Sequence, residues 1–211
     1  LQLDALRRQV RTDAIGLREV ARLLGLGTRH DQGLNGSGIQ TTGRSRRGRR
    51  KPLDPARRAA FDVLRAVSEK DAYANLALPA LLRERGISGR DAAFATELTY
   101  GTLRAQGLLD RVIVLAASRP VDEIDPPVLD VVRLGAYQLL FTRIGAHAAV
   151  DTSVEAARTA GLGRAGAFVN AVLRKISARR TEEWLEALRA EVDDPIARMA
   201  VGTAHPEWIA R

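Results

Sequence analysis

Apolar residues begin to recur at helical intervals near residue 54, and this pattern continues almost to the end of the chain. Asp54 and Pro55 are residue types preferred at the N-cap and at the first position of a helix, so the first helix should begin at Pro55. Its apolar stripe consists of Ala56, Ala60, Val63, Leu64 and Val67. At about 100° per residue, Arg58 and Arg65 should lie on the opposite, outer face of this helix.

Seven further helices are predicted, because apolar residues keep the same spacing between turn-forming residues. Their approximate bounds are 75–85, 88–104, 108–117, 125–141, 148–160, 164–178 and 182–191. Ser88 and Asp91 resemble a capping box at the start of the second of them. The segment 108–117 is apolar enough for a buried strand, but we predict a helix because the sequence offers no partner strand. The helix that begins at Asp125 is apolar around most of its circumference, which is typical of a central, buried helix.

The composition also favours an all-α fold. Ala, Leu, Arg and Glu favour helices and are abundant, whereas aromatic residues make up only 4% of the chain. The chain has no cysteine, which excludes disulfides, thiolate metal sites and thiol nucleophiles. The longest apolar run, about Val112 to Ala117, is far shorter than the roughly 20 residues of a membrane helix, and no secretory signal opens the chain. We expect a cytoplasmic protein without a membrane partner.

Residues 1–51 are predicted to form an extension outside the globular domain, which would begin at residue 52. Residues 17–24 allow one short amphipathic helix. Residues 28–51 are rich in Gly, Asn, Ser, Thr and Arg, and they contain too few apolar side chains to offset the entropy of ordering them. This second part of the extension is therefore predicted to be disordered.

The formal net charge is +8, and a single tract carries most of it. Six cations without an intervening acid form this basic tract: Arg44, Arg46, Arg47, Arg49, Arg50 and Lys51. Such a block has affinity for nucleic acid, because neutralising phosphates releases condensed counterions. The tract leads directly into Arg57, Arg58 and Arg65, so a flexible arm and a helical face could share one RNA backbone. The alternative is a solvated linker or charged face without a partner.

Other motifs give little support for catalysis. The glycines of residues 161–166 spell G-x-G-x-x-G, but a predicted helix precedes them, whereas a dinucleotide site requires a strand. We interpret them as a helix end, a turn and a helix start. His30, His147 and His205 lack the spacing of metal or catalytic ligands, and His147 is expected to support the turn before a helix. No catalytic, cofactor-binding or metal-binding residue is predicted.

Four segments of the sequence occur together in one known family. They are RDAAFATELTYG at 90–101, DPP through LGAYQLL at 125–140, HAAV at 147–150 and FVNAVLR at 168–174. Their order and spacing resemble the N-terminal domain of the bacterial 16S ribosomal RNA (cytosine-C5)-methyltransferase B family, also called the Fmu or Sun family. The resemblance covers about residues 52–211. Ala146 and Asp151 depart from the proline and asparagine that this family often has there.

The resemblance implies a NusB-like fold, a helical bundle of two three-helix subdomains, for residues 52–192. Residues 193–211 would begin the linker to a methyltransferase domain that this chain does not contain. The family's full enzyme uses S-adenosylmethionine to methylate carbon 5 of a cytosine in 16S rRNA, through cysteines of that second domain. A cysteine-free chain should therefore bind RNA but be inactive alone. In NusB proteins the arginine-rich first helix contacts RNA, and Arg57 and Arg58 occupy comparable positions.

The sequence leaves three functions open. The first is an RNA-recognition domain that contacts a fused methyltransferase domain and delivers it to 16S rRNA. The second is a stand-alone NusB-type antitermination factor, which would regulate transcription by binding nascent RNA and a ribosomal protein. The third is a helical protein-interaction module with an unrelated basic tail. The family match from Ala148 to Arg174 and the segment from His205 to Trp208, which resembles the lead into the methyltransferase half, favour the first function over the second.

Overall fold

The computed structural model describes residues 52–190, and within this range all regular secondary structure is helical. The α-helices of this range are α1 Pro55–Lys70, α2 Ala74–Glu84, α3 Gly89–Arg104, α4 Gln106–Ala117, α5 Pro126–Phe141, α6 Ala146–Thr159, α7 Gly166–Ser177 and α8 Thr181–Ala190. Short 3-10 helices at Val121–Glu123 and Gly163–Ala165 precede α5 and α7. None of the helices between residues 52 and 190 is both long and apolar enough to cross a bilayer. The all-α expectation is confirmed here, whereas the expectations for residues 1–51 and 191–211 lie outside the described residues.

Helix α1 begins where the sequence predicts. The carboxylate of Asp54 accepts a hydrogen bond from the amide nitrogen of Arg57 at 2.9 Å, which satisfies one free amide group of the first turn. Pro55 follows at the first helical position, where no amide donor is needed. The helix ends at Lys70, and Asp71 then adopts the left-handed conformation with a φ of 50°. These local signals place the start of α1 directly after the basic tract.

The capping box predicted for α3 is wrong. Ser88 does occupy the N-cap position, but its side chain makes no capping hydrogen bond. Gly89, the first residue of α3, has a φ of 57°, whereas a capping box requires helical dihedral angles directly after the cap. The helix therefore starts at the predicted place through a glycine turn instead of a hydroxyl cap.

The helices form two groups of three. Helices α1, α2 and α3 pack around a small core to which Ala59, Val63, Leu78 and Leu81 belong. Helices α5, α6 and α7 form the second group, α4 packs against α5 and α7, and α8 packs against α4. The larger core runs through the second group and extends to α1 and α3. The two groups are thus joined by apolar contacts rather than by a linker.

Helix α5 is the central element of this arrangement. It contacts α1, α3, α4, α6 and α7, and ten of its sixteen residues are buried. This confirms the prediction of a central helix, because its apolar side chains need neighbours on nearly every side. Segment 108–117 is also helical, as predicted, and lies within α4, where Leu109, Val112 and Ile113 are fully buried.

Two glycines allow neighbouring helices to approach α5 closely. Gly101 of α3 lies against the ring of Tyr137, and a Cβ atom at this position would be 2.0 Å from the ring atom Cζ. Gly135 of α5 faces α6 and α7, and its Cβ atom would be 2.7 Å from Oγ of Ser153 and 2.6 Å from a methyl carbon of Leu173. These contacts set the spacing between the central helix and three of its neighbours.

The glycine motif at residues 161–166 is a turn between two helices. Helix α6 ends at Thr159, Gly161 has a φ of 80°, and α7 begins at Gly166. No strand precedes the motif in the described part of the chain, which confirms the interpretation as a helix end, a turn and a helix start.

The expectation that His147 supports the turn before α6 is wrong. Gly145 is the N-cap residue, so α6 starts two residues earlier than predicted and His147 belongs to its first turn. The side chain is 86% exposed, and its Nδ1 atom lies 2.9 Å from Oδ2 of Asp151, one helical turn later. This pair lies on the surface of α6.

The hydroxyl group of Tyr137 has a raised pKa. The ring is 6% exposed and stacks on Phe141 with 5.5 Å between the ring centroids, and the hydroxyl donates a hydrogen bond to the carboxylate of Glu97. Burial, followed by the hydrogen bond and the charge of Glu97, raises the pKa of Tyr137 to about 12, against a smaller opposing effect of Arg104. The folded protein therefore holds this proton more tightly than the unfolded chain does.

Replacing Gly101 by alanine should destabilise the protein by about 1–3 kcal/mol, because the added methyl group would overlap the Tyr137 ring. The free energy of unfolding, measured by urea denaturation with circular dichroism, tests this. Gly107→Ala is the matched control, because Gly107 lies in the first turn of α4 with no atom near its Cβ position. That substitution should be neutral or stabilise the protein, by up to about 0.5–1 kcal/mol. Equal effects of both substitutions would contradict the close contact at Gly101.

Tyr137 should make the protein lose stability at alkaline pH. Because its folded pKa lies above its ordinary value, the stabilisation is complete below about pH 10 and is lost as the pH rises toward about 12. Between pH 9 and pH 11, the free energy of unfolding should fall by about 1.4 kcal/mol more in the unaltered protein than in Tyr137→Phe. Urea unfolding at both pH values measures it. Tyr73→Phe is the control, because Tyr73 is 62% exposed. If Tyr73→Phe abolished the alkaline loss of stability and Tyr137→Phe did not, the assignment of this loss to Tyr137 would be wrong.

Candidate nucleic-acid interface

Three of the nine basic residues predicted to bind RNA lie in the described part of the chain, and all three belong to α1. The basic tract, Arg44 to Lys51, lies outside the described residues. It joins the helical domain at residues 52–54, where Leu53 packs against the larger core and Asp54 caps α1. The point at which the tract joins the domain is therefore fixed by both an apolar contact and a helix cap.

Arg57 connects α1 to the central helix. Its Nε atom donates a hydrogen bond to Oε1 of Gln138 at 2.7 Å, and its Nη1 atom lies 2.7 Å from Oδ2 of Asp54. The guanidinium group also lies over the ring of Phe94, 4.9 Å from the centroid. Only 14% of the Arg57 side chain is exposed. Its donors are thus used mainly within the protein.

Arg58 is the most exposed of the three, with 43% of its side chain accessible. Its Nε atom lies 3.2 Å from Oδ2 of Asp62, and the same oxygen accepts a hydrogen bond from Arg85 at 2.6 Å. One carboxylate is therefore shared by two arginines, so this small cluster keeps a net positive charge on the surface of α1 and α2. A surface pair of this kind is weak, and a phosphate group could compete with it.

Arg65 does not lie on an open outer face, contrary to the sequence-based expectation. Only 14% of its side chain is exposed, and it forms ion pairs with Glu69 and with Asp130 of α5. The physical reason is that α1 lies antiparallel along α5, so that Arg57 is opposite Gln138 and Arg65 is opposite Asp130. The helical repeat predicts the direction in which a side chain points, but it does not show whether a neighbouring helix covers that side.

Asp130 organises a network of charged groups between three helices. It is 2% exposed, and its Oδ2 atom accepts hydrogen bonds from Oγ of Ser68 at 2.6 Å and from Arg65 at 3.1 Å. Its Oδ1 atom accepts one from Arg133 at 3.3 Å, and Arg133 donates two more to Asp110 of α4, at 2.7 and 2.8 Å. Burial opposes the charge on Arg133, but the hydrogen bonds and charges of Asp110, together with those of Asp130, outweigh it and raise its pKa. The network ties α1, α4 and α5 together.

The helical part of the protein is nearly neutral as a whole. Between residues 52 and 190, nineteen Lys and Arg residues face seventeen Asp and Glu residues, which leaves a formal charge of +2. The distribution is uneven, because residues 156–181 contain six Lys and Arg residues and no acid. Reading the chain helix by helix missed this second basic stretch, which a running count of acids would have found.

The described residues show no arrangement typical of a metal centre. No group of three His, Asp or Glu side chains between residues 52 and 190 is placed to hold a metal ion.

Two three-helix groups that meet at the central helix α5 form a small all-helical domain, and the basic tract precedes its first helix. A family model described as the NusB family matches residues 54–178, which is more than half of the chain. The chain belongs to the NusB family.

Its relatives are longer proteins. A Mycobacterium tuberculosis protein with a provisional methyltransferase name is 60% identical over 171 residues, which is 81% of this chain and 37% of that protein. The ribosomal RNA small subunit methyltransferase B of Pseudomonas putida is 36% identical over 155 residues, which is 74% of this chain and 33% of the relative. The chain thus spans about a third of the length of these relatives.

Solved structures agree with the fold. The solution structure of NusB from Aquifex aeolicus has a TM-score of 0.50 and 22% identity, and the match covers 66% of this chain and 90% of that one. A chain in the crystal structure of a plectonemic RNA supercoil has a TM-score of 0.54 and 24% identity, with 57% and 90% covered. The expected NusB-like fold is confirmed.

Replacing Arg65 by alanine should destabilise the protein by about 3 kcal/mol, because the buried Asp130 carboxylate would lose one of its two arginines. Arg58→Ala is the matched control on the same helix and should cost less than about 1 kcal/mol, since its partner is reachable by water. Urea unfolding of both variants measures the difference. If Arg65→Ala were as stable as Arg58→Ala, the structural role of Arg65 would be refuted.

Proposed function

We propose that this chain is the RNA-binding domain of an S-adenosylmethionine-dependent methyltransferase that modifies carbon 5 of a cytosine in 16S ribosomal RNA. One joint observation carries the proposal. The chain belongs to the NusB family, and relatives matching most of its length are named ribosomal RNA small subunit methyltransferase B. The substrate proposed here would be met in the cytoplasm.

The basic tract is the proposed main contact with RNA. Its six cations lie within eight residues and have no acid among them, so each can neutralise a phosphate group and release a counterion. Arginine is well suited to this role, because its planar group pairs with phosphate and stacks on unpaired bases. The fixed junction at residues 52–54 would hold the bound RNA close to the start of α1.

The three arginines of α1 are proposed to have different roles. Arg58 would contact RNA directly, since it is the most exposed and its surface pair with Asp62 can be exchanged for a phosphate. Arg57 and Arg65 would act mainly as positioning residues, because their donors are engaged with α5. The tract and Arg58 would thus provide the affinity for RNA, whereas Arg57 and Arg65 would hold α1 in its orientation.

Methyl transfer itself is proposed to take place in another part of the protein. S-adenosylmethionine would supply the methyl group there. The described residues do not fit a pocket for it, because the glycines at 161–166 connect two helices instead of following a strand. The proposed contribution of this domain is recognition of RNA and contact with the methyltransferase domain.

The NusB family match also supports a second candidate, a stand-alone antitermination factor that binds nascent RNA and a ribosomal protein. The names of the longer relatives favour the methyltransferase function. The two candidates differ in the RNA that should bind most tightly, which is a 16S fragment for the first and a transcript leader for the second.

Affinity for single-stranded 16S fragments should fall as the salt concentration rises. Six neutralised phosphates give a slope of about −4 for log affinity against log salt, and further cations on the helical surface would make it steeper. Fluorescence anisotropy with labelled fragments, between about 50 and 200 mM salt, measures this slope.

The control is the full chain with all six cations of the basic tract replaced by glutamine. The slope of log affinity against log salt should be less steep by about 4 in this variant, and its helical circular dichroism should be unchanged. A flat salt response of the unaltered chain would refute the RNA-binding proposal and favour a helical protein-interaction module.

A further inference from the structure

The second basic stretch, residues 156–181, includes the whole of α7. Its six cations are Arg158, Arg164, Arg174, Lys175, Arg179 and Arg180. Excluding them leaves the rest of residues 52–190 with a negative formal charge, so this stretch is the strongly basic part of the helical domain. Positive charge concentrated on one element attracts a polyanion more effectively than the same charge spread evenly.

Helix α7 presents one apolar and one basic side. Val169, Val172, Leu173 and Ile176 are buried and face the larger core. The exposed side carries Arg174 and Lys175 beside residues with small side chains, Ala167 and Ala171. Short side chains between cations allow an RNA backbone to come close to the helix surface.

The cations at the centre of this surface lack carboxylate partners. No Asp or Glu between residues 52 and 190 forms an ion pair with Arg164, Arg174 or Lys175, and Arg174 donates only to Oδ1 of Asn170, at 3.2 Å. Two other cations of the stretch are paired, Arg158 with Glu155 and Arg180 with Glu183. The central cations can therefore bind an anion without first losing an ion pair, unlike the arginines of α1.

This surface also adjoins the point where the basic tract enters the domain. A cleft of about 890 Å³ lies between Pro52–Asp54 on one side and, on the other, residues of α6 together with Asn170 of α7. Since Asn170 accepts a hydrogen bond from Arg174, residues 52–54, where the tract joins the domain, and the exposed side of α7 lie at the same cleft.

The cleft is not uniformly basic. Asp54, Asp151 and Glu155 contribute to its lining, and each has a cationic or histidine partner, namely Arg57, His147 and Arg158. These carboxylates would repel phosphates in the cleft itself, so an RNA backbone should pass over its rim, from the tract to α7.

We propose that Arg174 and Lys175 of α7 and Arg164 of the 3-10 helix before it, here together called the α7 basic face, bind phosphate groups of the same RNA that the basic tract binds. The inference rests on the proposed RNA-binding function and assigns it a second contact surface, on the opposite half of the domain from α2. Helix α7 has 12 residues and is therefore about 18 Å long, with Arg164 just before its start and Arg174 and Lys175 near its end. This distance allows contact with more than one phosphate of a single strand.

The test compares two double variants of the full chain that remove the same charge. Arg174→Gln with Lys175→Gln alters the α7 basic face, whereas Arg83→Gln with Arg90→Gln alters exposed arginines of α2 and α3 that have no ion pair within residues 52–190. Binding to labelled 16S fragments is measured across salt, with circular dichroism as the check on folding. The first variant should bind more weakly and have a slope about 1.4 less steep. The second should match the unaltered chain.

The outcomes separate this inference from the function on which it rests. A steep slope in the unaltered chain that both double variants keep would overturn the α7 contact and leave the RNA-binding function intact. Equal losses in both variants would also overturn it, because they would reflect net charge alone. A flat response of the unaltered chain would remove the proposed function itself. The double variant Arg174→Lys with Lys175→Arg keeps both charges and should have the same salt slope as the unaltered chain.

Discussion

Helix α5 carries apolar side chains around most of its circumference, and it is stable only where other helices cover it on nearly every side. Five helices do so, and the two groups of three meet at this helix. Its single buried carboxylate, Asp130, adds a requirement for positive charge, because an ionised group inside a protein must be paired. Arg65 and Arg133 meet that requirement from α1 on one side and from α5 itself on the other. The apolar surface brings the helices together, and the charged network specifies how α1, α4 and α5 are aligned.

This requirement limits which basic residues remain available to a ligand. Arg57 and Arg65 face α5, at positions eight residues apart that match Gln138 and Asp130 on the antiparallel partner. Their charge therefore serves mainly to hold α1 in place. The cations of α7 differ, because that helix buries only apolar side chains and leaves its basic residues toward solvent. Arginine content alone does not identify a binding surface, since the same residue type stabilises the fold in one helix and stays accessible in another.

Much of the fold could be predicted from the sequence. Local features determine the start of α1 at Asp54 and Pro55, the turn at 161–166 and the central place of α5, and each follows from short-range spacing. The exposure of Arg65 could not be predicted, because it depends on a residue 65 positions away, Asp130. Likewise, the proximity of α7 to residues 52–54 arises from packing that brings distant segments together. The candidate site could thus be predicted only in part: the sequence shows which residues are basic, but it does not show which side chains they contact in the folded protein.

The firm attachment of residues 52–54 has a geometric consequence for whatever the basic tract holds. A chain can extend by at most about 3.6 Å per residue, so Arg44 cannot lie more than about 36 Å from Asp54. A folded domain of this length has a radius of gyration of roughly 14 Å, which makes that tether comparable to the width of the domain. Any partner bound by Arg44 to Lys51 is therefore contacted within about one domain width of the start of α1.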